Sequence, residues 1–217
     1  MKNLLIKEVR LAASPLSYIF LAAAFMTMLP GYPILMGAFF ICFGIFHSFQ
    51  NAREANDTLY TVLLPVKKSD FVRVKFAFTC IIQLLGFVIC AALTVVRMTA
   101  LSTAKPYAGN ALMNATPVFL AFVLLIYSAF NILFLGGFFK TAYKIGMPFL
   151  SFGIAVLIIV AVAESLPHIP ALSFLRSPSG ERLEIQCAVL AVAVVFYCVS
   201  TAVSCKKAQN RFEKIDL

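Results

Sequence analysis

The stretch PVFLAFVLLIYSAFNILFLGGFF, residues 117–139, contains no Asp, Glu, Lys or Arg. A helix that crosses the hydrocarbon core of a bilayer needs about 20 predominantly apolar residues, so this stretch is long enough to cross. The rest of the 217-residue chain has the same character, since 62% of its residues are hydrophobic, 12% are charged and its mean hydropathy is +0.95. Soluble domains average about 45–50% apolar and about 25% charged residues. The composition therefore excludes a soluble globular protein and predicts an integral membrane protein.

Further apolar stretches on both sides of residues 117–139 predict the other spans. They lie at about 15–29, 34–50, 76–96, 145–163 and 185–205. The first begins after Ser14, which suits an N-cap followed by Pro15 at the first helical position, and Pro30-Gly31 ends it. We therefore expect an all-α integral membrane protein, a bundle of six transmembrane helices that forms one domain over residues 1–217.

The Lys and Arg residues predict how the spans are oriented, because basic residues are retained on the cytoplasmic side of a membrane. With both termini in the cytoplasm, only four of the 18 basic residues lie outside, namely Arg97, Lys105, Arg176 and Arg182. We therefore expect a multi-pass protein of the cell membrane with both termini, the loop 51–75 and the tail 206–217 in the cytoplasm. The net charge of +9 is distributed between apolar spans, so it does not indicate a nucleic-acid partner.

The segment before the first span, residues 2–13, has an amphipathic pattern. On a helix, Asn3, Lys7 and Arg10 share one face, and Leu5 and Val9 lie on the other. Such a pattern is typical of a helix that lies in the membrane interface. The alternative is a disordered basic tail whose charges only fix the topology.

The loop 51–75 is the one long cytoplasmic connection, and it is rich in charge. Ala55, Leu59, Val62 and Leu63 recur at helical spacing, which predicts a short amphipathic helix that ends at Leu64-Pro65. An apolar stripe exposed to the cytoplasm needs something to cover it. Lipid headgroups and a groove on another protein are the two candidates.

The same loop carries a set of charged, amide and Leu-Pro residues. The set is Arg53-Glu54, Asn56-Asp57, Leu64-Pro65-Val66, Lys68, Asp70, Val72 and Lys75. It resembles the first cytoplasmic loop of ATP-binding cassette (ABC) type-2 permeases. The basic N-terminal segment and the six-span layout are also similar to that family, so the resemblance covers most of the chain. It implies that two six-span permease subunits form a pathway and that an ATPase, separate or fused, binds on the cytoplasmic face.

By this resemblance, the short helix of the loop is a coupling helix that docks on the ATPase. The residues implied at that contact are Glu54, Asp57, Leu59, Leu63, Leu64 and Pro65. The family often has a short, partly re-entrant helix between its last two spans, where this chain has residues 164–182. Three prolines, Pro167, Pro170 and Pro178, would break that helix into short pieces.

The chain contains no G-x-x-x-x-G-K-[ST] motif, whose backbone amides bind the phosphates of a nucleotide. We therefore expect a membrane subunit that is not an enzyme and binds no cofactor or metal itself, with ATP and Mg²⁺ bound by a partner ATPase subunit. The expected function is that of a permease in an ABC exporter. A second permease subunit, in a homodimer or a heterodimer, and membrane lipid are the other expected partners.

Three other functions compete with the permease. An intramembrane enzyme would need catalytic side chains that face a cavity, and a proton- or sodium-driven transporter would need ionisable residues near the bilayer midplane. None of the nine acidic residues lies in the middle of a span. A non-transporting membrane anchor or immunity protein stays open as an alternative, and it predicts no loop that binds an ATPase.

The chain has 22 phenylalanines, many of them on the second and fourth spans. They suit lipid contact and helix packing, and they also suit a pathway for an amphipathic or apolar substrate such as a peptide, a lipid or a drug. Polar residues inside apolar spans usually face protein or a cavity. The candidate pathway residues are Phe43 and Phe46 from the phenylalanine set and Gln83 and Asn131 from the polar residues inside the spans.

Overall fold

The computed structural model describes residues 2–108, 110, 112–141, 144–176 and 181–215. All regular secondary structure among these residues is helical. The elements are α1 (Lys2–Lys7), continued by a π-helical turn (Glu8–Ala12); α2 (Pro15–Ile19), continued by a 3₁₀ helix (Phe20–Met28); α3 (Met36–Glu54); α4 (Asp57–Leu63); α5 (Lys68–Thr99); α6 (Lys105–Ala108); α7 (Pro117–Ala129), continued by a π-helical turn (Phe130–Leu135); α8 (Gly136–Thr141); α9 (Gly146–Ser165); two 3₁₀ turns (Leu166–His168 and Pro170–Arg176); and α10 (Leu183–Phe212).

Four helical stretches among the described residues are long and apolar enough to cross a membrane. They are Lys68–Thr99, Pro117–Thr141, Gly146–His168 and Leu183–Phe212. The pair Asn3–Ala12 and Pro15–Met28, bent by 90°, makes a fifth if it is one broken span. The all-helical membrane architecture predicted from composition is confirmed. The count of six spans stays a prediction, since α3, with His47, Gln50 and Asn51 in its second half, is not among the four.

The first predicted span is short, and part of it is a 3₁₀ helix, which is longer than an α-helix of the same number of residues. Ser14 caps α2 as its sequence predicts, with its side chain accepting from the Leu16 amide at 3.3 Å. Beyond Ile19 the nine residues Phe20–Met28 wind as a 3₁₀ helix. A 3₁₀ helix rises about 2.0 Å per residue against about 1.5 Å in an α-helix. The stretch Pro15–Met28 therefore reaches about 25 Å, against about 30 Å for the hydrocarbon core of a bilayer.

Two glycines of α3 let this first stretch pack closely against it. A Cβ at Gly44 would lie 2.7 Å from the Cβ of Phe20, and a Cβ at Gly37 would lie 2.7 Å from the carbonyl oxygen of Ala23. The Ser17 hydroxyl also donates to the Gly44 carbonyl oxygen at 2.7 Å. Any larger residue at position 37 or 44 would push the two helices apart.

The stretch Pro117–Thr141 is the centre of the bundle. Its α7 part packs against α10, α9, α5 and α3. Most of its side chains are buried, including Phe119, Tyr127, Phe130 and Phe134. The outer faces of α9 and α10, by contrast, are exposed and apolar, as helices that contact lipid must be. The charge-free stretch 117–139, which predicts a membrane span most clearly, is therefore also the one that the other helices surround.

Candidate functional site

The helix α4 lies at the end of the bundle that carries Lys7, Lys68 and Lys75, which we call the basic end. Asn56 separates α4 from α3 by adopting a left-handed backbone conformation, with φ of 51°. At the other end Leu64 is extended, as expected for a residue before proline, and α4 stops at Leu63. The predicted helix with its stop at Leu64-Pro65 is therefore present, although it begins only at Asp57.

A cluster of charges, fully buried at Lys75 and Glu8 and partly buried at Lys7 and Asp57, holds α4 against the bundle. The Lys7 ammonium donates to the Asp57 carboxylate, and it also donates to the Thr61 hydroxyl at 2.8 Å. The Lys75 ammonium lies 2.6 Å from Glu8 Oε1 and 3.6 Å from Asp57 Oδ2. The side chains of Lys75 and Glu8 are only 1% and 2% exposed. These four charged residues join α4 to the N-terminal helical segment Lys2–Ala12 and to α5.

The opposite side of α4 is apolar and exposed. Tyr60 is 66% exposed and Leu63 is 75% exposed, and Leu59 and Leu64 are also exposed. Pro65 and Glu54 are exposed as well. We call Leu59, Tyr60, Leu63 and Leu64 the α4 apolar face. Five of the six residues predicted at the ATPase contact are thus accessible, whereas the sixth, Asp57, turns inward to the lysines. The side chain of Val62 lies outside the described residues.

The candidate pathway residues Gln83 and Asn131 bind each other inside the bundle. Their side-chain amides exchange hydrogen bonds of 3.1 and 3.2 Å between α5 and the π-helical turn that follows α7. Asn131 also donates to the Thr201 hydroxyl at 2.9 Å, and Tyr197 donates to Gln83 Oε1 at 2.8 Å. Both amide side chains are fully buried. The arrangement links three helices through one polar cluster.

The other two candidate pathway residues, Phe43 and Phe46, belong to an aromatic cluster between α3 and α9. The ring centroids of Phe46 and Phe149 are 4.1 Å apart, and those of Phe43 and Phe149 are 5.8 Å apart. The His47 ring meets the Phe43 ring edge-on at 4.6 Å. Phe43 and Phe46 remain partly exposed. The structure therefore keeps these two rings near the surface and apart from the buried amide pair.

A family model described as ABC-2 family transporter protein matches residues 3–209. The chain belongs to the ABC-2 transporter family. No curated protein and no solved structure matches it. Membership confirms the resemblance found in the cytoplasmic loop, supports a general permease role in a multi-pass membrane protein, and implies an ATPase partner in general.

Sequence reasoning did not find Glu8 and Lys75, which have the least exposed charged side chains in the described part of this ABC-2 protein. Glu8 is the only acidic residue before Glu54, and it lies in a basic segment. That isolated position among basic residues was the available sign that Glu8 pairs with a cation. Its partner could not be read from the sequence, since 67 residues separate Glu8 from Lys75.

At the far end of α5, the ABC-2 protein buries a second cation that sequence reasoning took only as an outer basic residue. Arg97 Nη1 donates to the Thr27 carbonyl oxygen at 2.6 Å, and Nη2 donates to Asn114 Oδ1 at 2.8 Å. Its guanidinium lies 4.4 Å from the Tyr107 ring centroid. Tyr107 in turn donates to the Met28 carbonyl oxygen at 3.0 Å. Arg97 therefore attaches α5 to the end of the first helical stretch.

The segment between α9 and α10 starts as Pro167 and Pro170 predict. Two short 3₁₀ turns, Leu166–His168 and Pro170–Arg176, replace a continuous helix. Pro178 lies outside the described residues. Within the described part of the chain, no three His, Cys, Asp or Glu side chains are grouped so that they could hold a metal ion.

Proposed function

We propose that this chain is the membrane subunit of an ABC exporter and that a separately encoded ATPase docks on α4. The observation that carries the proposal is the combination of an exposed apolar face on α4 with a partly buried ion pair, Asp57 with Lys7, on its other side. Leu63, 75% exposed, projects from a helix that Lys7 holds through Asp57. A surface that is apolar and already ordered suits a protein groove, because binding then requires little further ordering.

The ion pairs of Asp57 favour a protein partner over lipid as the cover of the α4 apolar face. A helix that only lies in the headgroup region does not need an ion pair that attaches it to the bundle. Here Asp57 is bound by Lys7 and lies 3.6 Å from Lys75, so a force on α4 would reach two other helical segments. A coupling element needs such a connection.

The length of α5 supports a role in transmitting that force. It has 32 residues, and at about 1.5 Å per residue it extends for about 48 Å. Lys75 lies near its basic end and Arg97 near its other end, and both are buried in polar contacts. We propose that closure of the ATPase moves α4, that α5 carries the motion across the membrane, and that the spans tilt into an outward-open state.

The proposed substrate is an amphipathic or apolar molecule, such as a peptide, a lipid or a drug, and two permease subunits would enclose its pathway. Phe43 and Phe46 are the pathway residues that we retain first, since both are partly exposed beside Phe149. Gln83 and Asn131 remain candidates, but their mutual hydrogen bonds favour a role in helix association.

The proposed orientation places both termini and α4 in the cytoplasm. In a cysteine-free background, a cysteine introduced at position 105 should react with an impermeant maleimide in intact cells, whereas a cysteine introduced at position 210 should react only after lysis. Lys105 and Asn210 are both exposed on the protein. Labelling of position 210 from outside would overturn the orientation and, with it, the assignment of α4 to the ATPase side.

The docking of the ATPase is tested with Leu63→Asp. A carboxylate buried without a partner at a protein contact costs several kcal/mol, which corresponds to about three decades in affinity. We expect Leu63→Asp to lose the ATPase in a pull-down at matched membrane levels, and to lose permease-stimulated ATP hydrolysis. The variant should still fold, because residue 63 is exposed.

Two control variants separate docking from a general loss of integrity. Leu63→Met keeps the apolar contact and should retain the ATPase. Lys67→Gln changes an exposed residue just beyond α4 and should retain most of it, because exposed charge pairs contribute only about 0–1 kcal/mol. Full ATPase binding by Leu63→Asp would refute the docking site, and a chain that binds no ATPase in any form would favour the membrane anchor or immunity protein.

A further inference from the structure

A groove on the outer face of α10 is not part of the proposed coupling site. It has a volume of about 410 Å³. The π-helical turn that follows α7 contributes Ile132 to its lining, and α8 contributes Gly136. Its α10 side is formed by Val199, Val203, Lys207 and Arg211 among others. These four recur at every fourth residue and therefore lie on one stripe of the helix. Ser200 and Ser204 also line the groove, so its wall is mainly apolar with two hydroxyl groups, and it is cationic at one end.

Packing at the basic end fixes the orientation of α10 about its own axis, and with it the side of the helix that faces the groove. Phe212 is fully buried, with its ring centroid 5.7 Å from that of Phe71 and 5.6 Å from that of Phe139. Ala208, one turn earlier, is also fully buried. With these side chains facing the core, the neighbouring residues Lys207 and Arg211 must face outward along the groove.

Arg211 is held at the end of the groove by a backbone contact. Its Nη1 donates to the Gly136 carbonyl oxygen at 3.3 Å. A guanidinium has five N–H donors, so the others remain available to a ligand. Lys207 adds a second cation on the same stripe, and no carboxylate lines the groove among the described residues. The end of the groove is therefore suited to an anion.

We propose that this groove binds an anionic phospholipid, with the phosphate at Lys207 and Arg211 and one acyl chain along Val203, Val199 and Phe196. The dimensions agree. From Val192, which lines the adjoining groove, to Val203 the helix rises about 16 Å, which is close to half of the ~30 Å hydrocarbon core. The ligand is thus one lipid of the leaflet at the basic end.

A second copy of the chain fits the groove less well than a lipid does. A two-fold interface brings the same surface of both subunits together. Lys207 and Arg211 of one copy would then approach those of the other without an acidic residue in the described groove lining to separate them. The phosphate group of a lipid, by contrast, can accept hydrogen bonds from both Lys207 and Arg211 at once.

The sequence offers a direct probe, because the chain contains no tryptophan. Phe196→Trp places one fluorophore in the groove with little change in volume. Ile154→Trp is the matched control, since Ile154 is exposed on α9 and is not one of the residues that line the groove. Each protein is reconstituted in vesicles of phosphatidylcholine that contain a brominated phosphatidylglycerol or a brominated phosphatidylcholine.

At equal mole fraction, we expect brominated phosphatidylglycerol to quench the fluorophore at position 196 more strongly than brominated phosphatidylcholine does. One basic residue near an anionic surface contributes about fivefold in affinity, so two give a preference of at most about 25-fold. The double substitution Lys207→Gln with Arg211→Gln should reduce the preference to near one. Lys206→Gln with Lys214→Gln removes the same charge outside the groove and should leave it largely intact.

Three results would overturn the proposal. The first is an equal lipid preference at positions 196 and 154. The second is an equal loss of preference in the two double variants, which would indicate only a diffuse attraction of anionic lipid to the basic end. The third is a fluorophore at position 196 that neither lipid quenches while the one at position 154 is quenched, because the groove would then be covered by protein. None of these results depends on an ATPase.

Discussion

Removing the buried Lys75 should destabilise the protein more than removing its partner Glu8. Lys75→Met leaves the Glu8 carboxylate, 2% exposed, without its cation at 2.6 Å. Breaking a buried ion pair from one side in this way costs about 3–5 kcal/mol. Asp57 suffers less from the change, because Lys7 continues to bind it.

The reverse substitution, Glu8→Met, should cost less because Lys75 keeps other partners. Its ammonium remains 3.6 Å from Asp57 Oδ2, and it lies 5.4 and 5.5 Å from the ring centroids of Phe49 and Phe71. A desolvated cation–π contact contributes about 2 kcal/mol. The double substitution should be close to the native protein or more stable, because replacing a buried pair by apolar residues is often neutral or stabilising by about 1–4 kcal/mol.

The assay is thermal stability of detergent-solubilised protein, measured by the fraction that remains monodisperse after heating. For a chain of 150–250 residues, 1 kcal/mol shifts the midpoint by about 2–4 °C, so Lys75→Met should lower it by at least about 6 °C. The expected order is double variant, then Glu8→Met, then Lys75→Met as the least stable. A double variant that loses the sum of the two single effects would refute the reasoning, since the two side chains would then act independently.

Two further predictions concern contacts inside the membrane. Asn131→Leu leaves the buried Gln83 amide with fewer partners, so it should lower the midpoint of thermal unfolding, at about 0.6 to 2 kcal/mol per interhelical hydrogen bond. Adding Gln83→Leu should cost less than it would alone, because the hydrogen bonds between the two amides are already lost. Additive effects of the two substitutions would contradict the pairing. Gly44→Ala should destabilise the protein by about 1–3 kcal/mol, because the added methyl group overpacks the contact with Phe20. The control Gly153→Ala should be neutral or stabilising, because its added methyl group meets nothing within 4 Å. Equal effects of the two substitutions in the same assay would contradict the close approach at Gly44.

The sequence predicts the parts of the fold that local pattern determines. The charge-free run at 117–139 lies within the described span Pro117–Thr141, and Ser14-Pro15 and Leu64-Pro65 mark a real helix start and a real helix stop. These features depend on apolar length and on the backbone limits of proline. The number of crossing helices is harder to predict from the sequence. The stretch Pro15–Met28 is apolar but short, and polar residues in the second half of α3 weaken its hydropathy signal.

The candidate site was predictable only on its exposed side. Helical spacing placed Leu59 and Leu63 on one apolar stripe, and both are exposed. The same spacing assigned Ala55 to that stripe, but Asn56 breaks the helix and leaves Ala55 in the turn before α4. Asp57 was assigned to the partner contact by the resemblance of its loop to the family, and the lysine that binds it comes from a segment 50 residues away. Pairings over such distances depend on tertiary packing, which no local pattern encodes.

The extended winding of Phe20–Met28 also has a consequence for the lipid around it. At about 25 Å, the stretch Pro15–Met28 remains about 5 Å shorter than the hydrocarbon core that it faces. A helix of that length can cross where the bilayer thins beside it, since a span shorter than the hydrocarbon core can draw the two headgroup layers together. The lipid beside the exposed Phe25 is therefore expected to be compressed, which would lower the barrier to an amphipathic molecule that moves between leaflets on this side of the protein.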